Sequence, residues 1–237
     1  MYMKRTFFLI SVCAILFVGC TRDFGLPTTK NYPINGTFTE LDVSNAFDVT
    51  VSDQVSDVVV TVGELAHARV VVKVIDGRLY IGFKPHTMYH GHAAAVIPAN
   101  ANLHELDLSG ASSFTGDLNG EDVDIDLSGA STYRGTVNAA ELDVELSGAS
   151  DAHISGVCRE KMEIELSGAS TLKAANLNAQ SVSGHLSGAS DADVTVCSSL
   201  NVELSGASTL TYGTSSEECH PNINCPASGG SVVKPRN

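Results

Sequence analysis

The chain has 237 residues, of which 14 are Lys or Arg and 27 are Asp or Glu, so its formal net charge is −13. A surface this acidic repels nucleic acid and anionic lipid head groups, and we therefore exclude nucleic acid as a partner. The same charge favours solubility and is compatible with the binding of cations.

The N-terminus has the pattern of an exported lipoprotein. Residues 1–19 contain two basic residues, then the apolar run 7–18 and a glycine, which is typical of a lipoprotein signal peptide. The apolar run is shorter than the roughly 20 residues of a membrane-spanning helix. The next residue, Cys20, resembles the diacylated cysteine of the bacterial lipobox. The alternative is an ordinary signal peptide followed by an incidental cysteine.

Lipidation of Cys20 predicts the cellular location of the protein. Two acyl chains on one residue hold a protein stably on a membrane, so we expect a cell-envelope protein at the outer membrane or cell surface. Removal of residues 1–19 leaves 12 basic against 27 acidic residues, a net charge of −15. Residues 20–36 are predicted to be the lipidated cysteine and a tether.

The region 37–104 is predicted to be an N-terminal β region continuous with the repeats that follow it. Residues 40–47 echo residues 105–112, which indicates an eroded copy of one coil. Asp76-Gly77 lies between two strand-like segments and is a strong hairpin signal. We expect hairpins to cap this end, because an open end would expose unpaired strand edges.

Residues 105–213 are built from repeats. The pentapeptide Leu-Ser-Gly-Ala-Ser occurs six times, and successive copies start 19, 19, 20, 20 and 18 residues apart. Apolar and polar residues alternate before each copy, as in a strand with one buried face. A unit made only of strand and turn predicts an all-β, right-handed parallel β-helix, a solenoid with one coil per repeat of 18–20 residues.

The pentapeptide itself suits the corner of a coil. Gly reaches backbone angles closed to other residues, and Ser can hydrogen-bond nearby backbone. We interpret the stacked serines as structural; a binding stripe is the alternative. A second stacked position is predicted to lie in the core and to alternate large and small side chains, namely Phe114, Tyr133, Ala152, Leu172, Ala192 and Leu210.

Four features together resemble the putative auto-transporter adhesin, head GIN domain family. They are the lipoprotein signal, the Phe-x-x-Leu-x-Val segment 38–43, the Asp-Gly-x-Leu-x-Ile segment 76–81, and the serial pentapeptides. The resemblance covers residues 37–213. It implies a secreted or lipid-anchored bacterial β-helical protein with a proposed adhesive role and no established activity.

Acidic side chains are predicted to stack on the outer surface in two rows. Asp124, Asp143 and Glu163 form one row, and the other is formed by Asp126, Glu145, Glu165 and, further along, Glu203. Neighbouring like charges repel, and Ca²⁺ could relieve this repulsion with oxygen ligands. A solvated acidic face is the alternative that we prefer, and no cofactor is expected.

Basic side chains give two further candidates. Arg134, His153 and Lys173 occupy equivalent places in consecutive repeats and could form a basic stripe. A metal-binding loop could be formed by His86, His90 and His92, for which an exposed loop without metal is the preferred interpretation. No repeat departs from the pattern to build a cleft, so we expect no enzyme.

The cysteines that remain after export allow one predicted disulfide. Cys219 and Cys225 bracket a short turn-rich loop and could pair within the C-terminal tail, residues 214–237, which is predicted to be mostly irregular. Cys158 and Cys197 fall at similar places two coils apart, too far for a disulfide, and are predicted to be free and buried.

The sequence therefore predicts a non-catalytic surface lipoprotein, an adhesion or ligand-binding module. Its expected partners are the membrane, through the lipid anchor, and a surface glycan or protein. The alternative is a carbohydrate-active β-helix that binds or cleaves polysaccharide, which would have a groove with convergent carboxylates and a base.

Overall fold

The computed structural model describes residues 24–99 and 102–236. It is a nearly all-β structure, 61% strand, in which parallel coils stack into a β-solenoid of about seven turns. The predicted fold class is confirmed. The predicted signal peptide 1–19 and the predicted lipidation residue Cys20 lie outside the described residues. Within those residues, no helix has the length and apolar character needed to cross a membrane.

The strands follow one another with a single short 3₁₀ helix, Glu64–Ala68, between β4 and β5. In chain order they are β1 Pro27–Tyr32, β2 Glu40–Val43, β3 Phe47–Ser52, β4 Val58–Gly63, β5 Val70–Ile75, β6 Arg78–Phe83, β7 Ala93–Pro98, β8 Glu105–Leu108, β9 Ser113–Thr115, β10 Leu118–Asn119, β11 Asp122–Leu127, β12 Thr132–Leu146, β13 Asp151–Leu166, β14 Thr171–Leu186, β15 Asp191–Leu204, β16 Thr209–Gly213, β17 Asn222–Ile223 and β18 Val232–Pro235.

These strands stack in two main series, which we call sheet 1 and sheet 2. Sheet 1 runs β5-β6-β2-β8-β11, then through the second halves of β12 to β15, and ends at β17. Sheet 2 runs β1-β4-β7-β3-β9, then through the first halves of β12 to β15, and continues into β16 and β18. The pentapeptide leads the chain from sheet 1 to sheet 2.

The pentapeptide corners stack so closely that only glycine fits at their centre. Gly148 has a φ of +73°, and a Cβ built on it would lie 2.4 Å from the carbonyl oxygen of Gly129 in the preceding coil. Ala149 donates its backbone N–H to that same oxygen at 2.7 Å. Ser150 is buried and donates its Oγ–H to the carbonyl of Ser147 at 2.8 Å. The structural interpretation is confirmed for the last serine of each pentapeptide, whereas the first serine of each is exposed or partly exposed.

The core alternates large and small side chains as predicted. Phe114 and Tyr133 stack with ring centroids 5.9 Å apart and an interplanar angle of 8°. Ala152 follows Tyr133 in register, and Leu172 follows Ala152. All six residues at this stacked position are buried, so a small side chain makes room for the large ones in the neighbouring coils.

The eroded coil is also confirmed, although it is threaded in an unexpected order. Val43 is in register with Leu108, and the coil formed by β2 and β3 lies between β6–β7 and β8–β9. The predicted hairpin is β5–β6, with φ values of 51° at Asp76 and 87° at Gly77. Asn45 occupies the corner position with a φ of 66°, in the place that glycine takes in the repeats.

The predicted tether contains a strand. β1 pairs antiparallel with β4 along its whole length, from Pro27 to Tyr32. His67 holds it from the adjoining 3₁₀ helix: Nε2 lies 3.0 Å from the carbonyl oxygen of Thr28, and Nδ1 lies 2.9 Å from the Tyr32 hydroxyl. Residues 27–32 of the predicted tether therefore form a strand that covers the free edge of β4.

The tail contains a degenerate coil. Ala227 bridges to Leu204, and Gly230 donates its N–H to the carbonyl of Gly206 at 2.7 Å, so Ala-Ser-Gly-Gly-Ser at 227–231 repeats the corner. β17 and β18 then extend sheets 1 and 2. Of the tail's described residues, six lie in strands, and the corner at 227–231 was not predicted because an Ala in the place of the Leu hides the repeat.

The predicted Cys219–Cys225 disulfide is wrong, since Cys219 is bonded to Cys197. The strand register explains this pairing. Cys158 is paired with Ala179 in the next coil, and Ala179 with Val196 in the coil after that, and all three side chains are buried. Cys197 follows Val196 by one residue, so its side chain lies on the opposite face of the strand and is partly exposed. The offset arises from two register shifts that precede this position, one between His153 and Ser155 in the β13–β14 pairing and one between Ala174 and Asn178 in the β14–β15 pairing. Cys158 is free and buried as predicted, whereas the same prediction for Cys197 is wrong. Cys225 is free and partly buried.

Candidate functional site

Sheet 1 carries two rows of carboxylates on its outer surface, which we call the acidic rows. The predicted alignment is confirmed: Asp124, Asp143 and Glu163 are in register. Both rows are longer than the sequence predicted, because the eroded coil and β8 join them. One row is Glu40, Glu105, Asp124, Asp143 and Glu163, and the other is Asp42, Asp107, Asp126, Glu145 and Glu165.

A groove runs along the second acidic row. It has a volume of about 560 Å³ and is lined on one side by the carboxylates and on the other by the corner serines, such as Ser128 and Ser147. A neighbouring depression of about 420 Å³ lies between the two rows. The alternation of the strands creates both, because each carboxylate stands beside an inward apolar residue that the core fixes.

Burial and repulsion between neighbouring carboxylates raise the pKa of residues in the second acidic row. Burial raises the pKa of Asp107, and the neighbouring carboxylates Asp42 and Asp126 raise it further, while Arg78 opposes them. Burial and then adjacent carboxylates likewise raise the pKa of Glu145. The acidic rows therefore hold negative charge at a cost, which a cationic ligand would relieve.

A basic residue borders the first acidic row at its N-terminal end, and a histidine interrupts the second row near its C-terminal end. At the N-terminal end Arg78 donates from Nε to Glu40 at 2.9 Å and also pairs with Glu105. At the other end His185 follows Glu165 in register and lies 3.5 Å from Glu203, measured from Nδ1 to Oε2. Glu203 thus continues the second row beyond one interruption, as the sequence predicted.

Among the described residues, no group of three or more His, Cys, Asp or Glu side chains could hold a metal ion. The candidate ligands Asp126, Glu145 and Glu165 stand in single file on successive strands instead of converging on one point. In the candidate loop of His86, His90 and His92, the Nδ1 atom of His92 lies 3.3 Å from Oδ2 of Asp48.

Sheet 2 carries a second candidate surface, a groove of about 620 Å³ that we call the basic groove. The stripe predicted from the repeat is confirmed, since Arg134, His153 and Lys173 are in register on three consecutive strands. Burial lowers the pKa of His153, and the charges of Lys173 and Arg134 lower it further, while Asp151 opposes them.

Sequence reasoning missed one residue that shapes this groove. Arg236, near the end of the chain, lies against Asp193, with Nε to Oδ1 at 2.9 Å. It also donates from Nη1 to the Thr195 hydroxyl at 2.9 Å. The only available signal was the hidden corner at 227–231, which places the following strand beside β16 and brings Arg236 back to the body.

Comparisons with known proteins give a family and a set of similar folds. The model of the family described as putative auto-transporter adhesin, head GIN domain, matches residues 37–215. A comparison with curated protein sequences finds no significant match.

Three solved structures of similar fold illustrate the likeness. A putative adhesin from Bacteroides fragilis superimposes with a TM-score of 0.75 at 18% identity, covering 89% of this chain and 97% of that one. A putative adhesin from Parabacteroides distasonis gives 0.69 at 22% identity, with coverages of 90% and 98%. A putative lipid binding protein from the same species gives 0.68 at 16% identity, with coverages of 90% and 98%.

At these identities the solved structures show the fold alone, whereas the family match extends over most of the chain. The family and two of the three structures are named as adhesins rather than as enzymes, and the comparisons give no support to the carbohydrate-active alternative. The chain belongs to the putative auto-transporter adhesin, head GIN domain family.

Proposed function

We propose that this protein is a non-catalytic module of the bacterial cell surface that binds an extended ligand on the outer faces of its solenoid. The observation that carries the proposal is the pair of acidic rows, each with five carboxylates in register and bordered by an open groove. A ladder of backbone hydrogen bonds fixes these groups before any ligand arrives, which lowers the entropic cost of binding.

The shape of the molecule supports adhesion more than turnover. An adhesive contact needs an exposed area with regularly placed groups, and the strands provide one over five coils. A reaction would need a nucleophile, an acid or a base converging on one atom of a substrate. The carboxylates instead stand in parallel files, and membership in an adhesin family is consistent with a contact surface.

We further propose that the chain is lipid-anchored through Cys20 after removal of residues 1–19. The signal pattern in the sequence supports this. β1 begins at Pro27, so the anchor would be at most about 25 Å from the body, seven residues at about 3.5 Å each. The end of the solenoid that carries β1 would then face the membrane, and the C-terminal coils would face outward.

The anchor is tested by changing Cys20 to Ala in the producing bacterium. Loss of palmitate labelling and release from the membrane fraction are expected. Cys225→Ala is the matched control, because it removes another free thiol and should leave both properties unchanged. Retention of label and membrane association in Cys20→Ala would contradict the anchor.

The binding function is tested on a glycan array with a soluble chain that begins at residue 21, once with Ca²⁺ and once with chelator. The test variant combines Asp126→Asn, Glu145→Gln and Glu165→Gln. Its control combines Asp53→Asn, Glu64→Gln and Glu217→Gln, which removes the same charges at exposed positions outside the acidic rows.

Binding to one glycan class that the test variant loses and the control retains would support the acidic rows as the contact surface. Dependence of that binding on Ca²⁺ would indicate a cation held between protein and ligand. A blank array in both conditions, together with no protein recovered by cross-linking on intact cells, would contradict a binding function.

A further inference from the structure

We propose that the basic groove on sheet 2 binds an acidic glycan through its carboxylate or sulfate groups. The inference rests on the proposed function, because it gives that function a ligand class and a place. It concerns the surface around Arg134, His153 and Lys173, which is distinct from the acidic rows on sheet 1.

The register places the three side chains in single file. Arg134 is paired with His153, and His153 with Lys173, on neighbouring strands. Neighbouring strands lie about 4.8 Å apart, so the file spans about 10 Å along the solenoid axis. The residues just before them, Tyr133, Ala152 and Leu172, are fully buried. The packed core therefore fixes the backbone from which the three basic side chains project.

The positive charge in this file is not neutralised by ion pairs. Neither Arg134 nor Lys173 forms an ion pair or a side-chain hydrogen bond within the part of the chain that the structure describes. The carboxylate in register with Lys173 is Asp193, but Arg236 occupies it from Nε at 2.9 Å. Arg236 also donates from Nη2 to the carbonyl of Val194 at 2.9 Å, which holds its guanidinium on that side.

The groove offers neutral hydrogen-bonding groups beside its cations. The hydroxyls of Thr115 and Ser155 and the amide of Asn176 line it together with the three basic side chains. Sugar hydroxyls can pair with such groups, while sparse carboxylates or sulfates pair with the cations. An acidic glycan carries both kinds of group along one extended chain.

Two other anionic partners fit the charges less well. Basic clusters that bind anionic lipid usually contain about four to eight Lys or Arg, whereas this file has two permanent cations. Nucleic acid carries a dense negative charge, which a protein with a net charge of −13 repels at long range. Of these three kinds of partner, a glycan with widely spaced anionic groups is repelled least by the net negative charge of the protein.

The test uses the full mature chain carrying Cys20→Ser and measures affinity by isothermal titration calorimetry. The probes are a hyaluronan oligosaccharide, which carries one carboxylate per disaccharide, its fully methyl-esterified form and a keratan sulfate oligosaccharide, whose sulfates are also spaced along the chain. We expect at least one acidic probe to bind about tenfold or more tighter than the ester, with an affinity that falls as NaCl is raised.

The test variant combines Arg134→Gln with Lys173→Gln, and its control combines Arg159→Gln with Lys30→Gln. Each removes one Arg and one Lys from exposed positions, so the change in net charge is the same. We expect the test variant to lose about tenfold or more in affinity and the control to change less than about twofold.

Several outcomes would overturn the inference. They are no binding of either acidic probe, equal affinity for the ester, equal losses in both variants, or binding of phosphatidylglycerol vesicles through Arg134 and Lys173 without glycan binding. If the acidic rows bind a neutral glycan or a protein while the basic groove binds nothing, the proposed function stands and this inference fails. If no surface binds any ligand, both fail.

Discussion

Replacing a corner glycine by alanine measures how much the close stacking of coils contributes to stability. Gly148 has a φ of +73°, and its added Cβ would lie 2.4 Å from the carbonyl oxygen of Gly129. Gly77, in the β5–β6 turn, has a φ of +87° with nothing within 4 Å of its added Cβ. Both variants share the backbone strain, and only Gly148→Ala adds the contact between coils.

The expected magnitudes follow from these two terms. A left-handed backbone costs an L residue about 1–2 kcal/mol, so Gly77→Ala should lose about 1 kcal/mol. In Gly148→Ala the Cβ must retreat from 2.4 Å to the 3.4 Å at which ordinary contact begins. That movement breaks the hydrogen bond from Ala149 to Gly129 and opens the corner, which adds about 2 kcal/mol or more.

The free energies of unfolding are measured by urea denaturation followed by circular dichroism. Stacked repeats can unfold in parts, so hydrogen exchange of the coil that contains Gly148 is measured as well. We expect Gly148→Ala to lose about 3 kcal/mol and Gly77→Ala about 1 kcal/mol. Equal losses in the two variants would refute the claim that stacking requires glycine at the corner.

Three further predictions concern other parts of the solenoid. Ser150→Ala removes the buried hydrogen bond to the Ser147 carbonyl and should lower the free energy of unfolding by about 1 kcal/mol in the same urea assay; an unchanged value would contradict it. Cys197→Ala opens a disulfide that spans 22 residues and should destabilise the last coil by about 3 kcal/mol, seen as faster hydrogen exchange after Cys219 and unchanged exchange in the first coils. Burial and neighbouring carboxylates raise the pKa of Asp107 above its ordinary value of 3.8, so its contribution to stability is present in full below that value and is lost as the pH rises through the raised pKa. Asp107→Asn should therefore raise the melting temperature slightly at neutral pH and reduce the gain on acidification, and a lower melting temperature at neutral pH would contradict the assignment.

The repeat made most of the fold predictable from sequence. Because Leu-Ser-Gly-Ala-Ser marks the same corner in six coils, it fixed which residues stack, including Arg134 over His153 and the acidic rows. The alternation before each corner then decided which side chains point outward. Both patterns are local in the sequence. Once the corners of successive coils are aligned, they determine which strands are neighbours and which side chains face outward.

The errors arose where contacts between distant segments decide the structure. Cys197 is displaced by one residue relative to Cys158 because the strands slip within a shorter repeat, and the spacing of the corners does not reveal this. The partner of Cys219 comes from a coil 22 residues earlier. β1 forms only because β4 offers it a free edge, which no pattern within residues 27–32 shows.

The corner at the C-terminal end shows how an eroded repeat escapes notice. Ala227 stands where the other corners have Leu, and the two glycines that follow keep the backbone geometry without the full pentapeptide. Ala227 bridges to Leu204, so the stacking of the corner continues although the large apolar side chain is lost. Arg236 and its contact with Asp193 follow from this hidden coil.

A non-catalytic surface module should hold its ligand without changing it. The most direct test passes a glycan pool over the immobilised protein for many hours and determines the mass of every bound and unbound glycan. We expect one class to be retained and recovered with its mass unchanged. Shortened or unsaturated products, absent when heat-denatured protein is used, would contradict a non-catalytic function, and a pool recovered without any retention would contradict glycan binding.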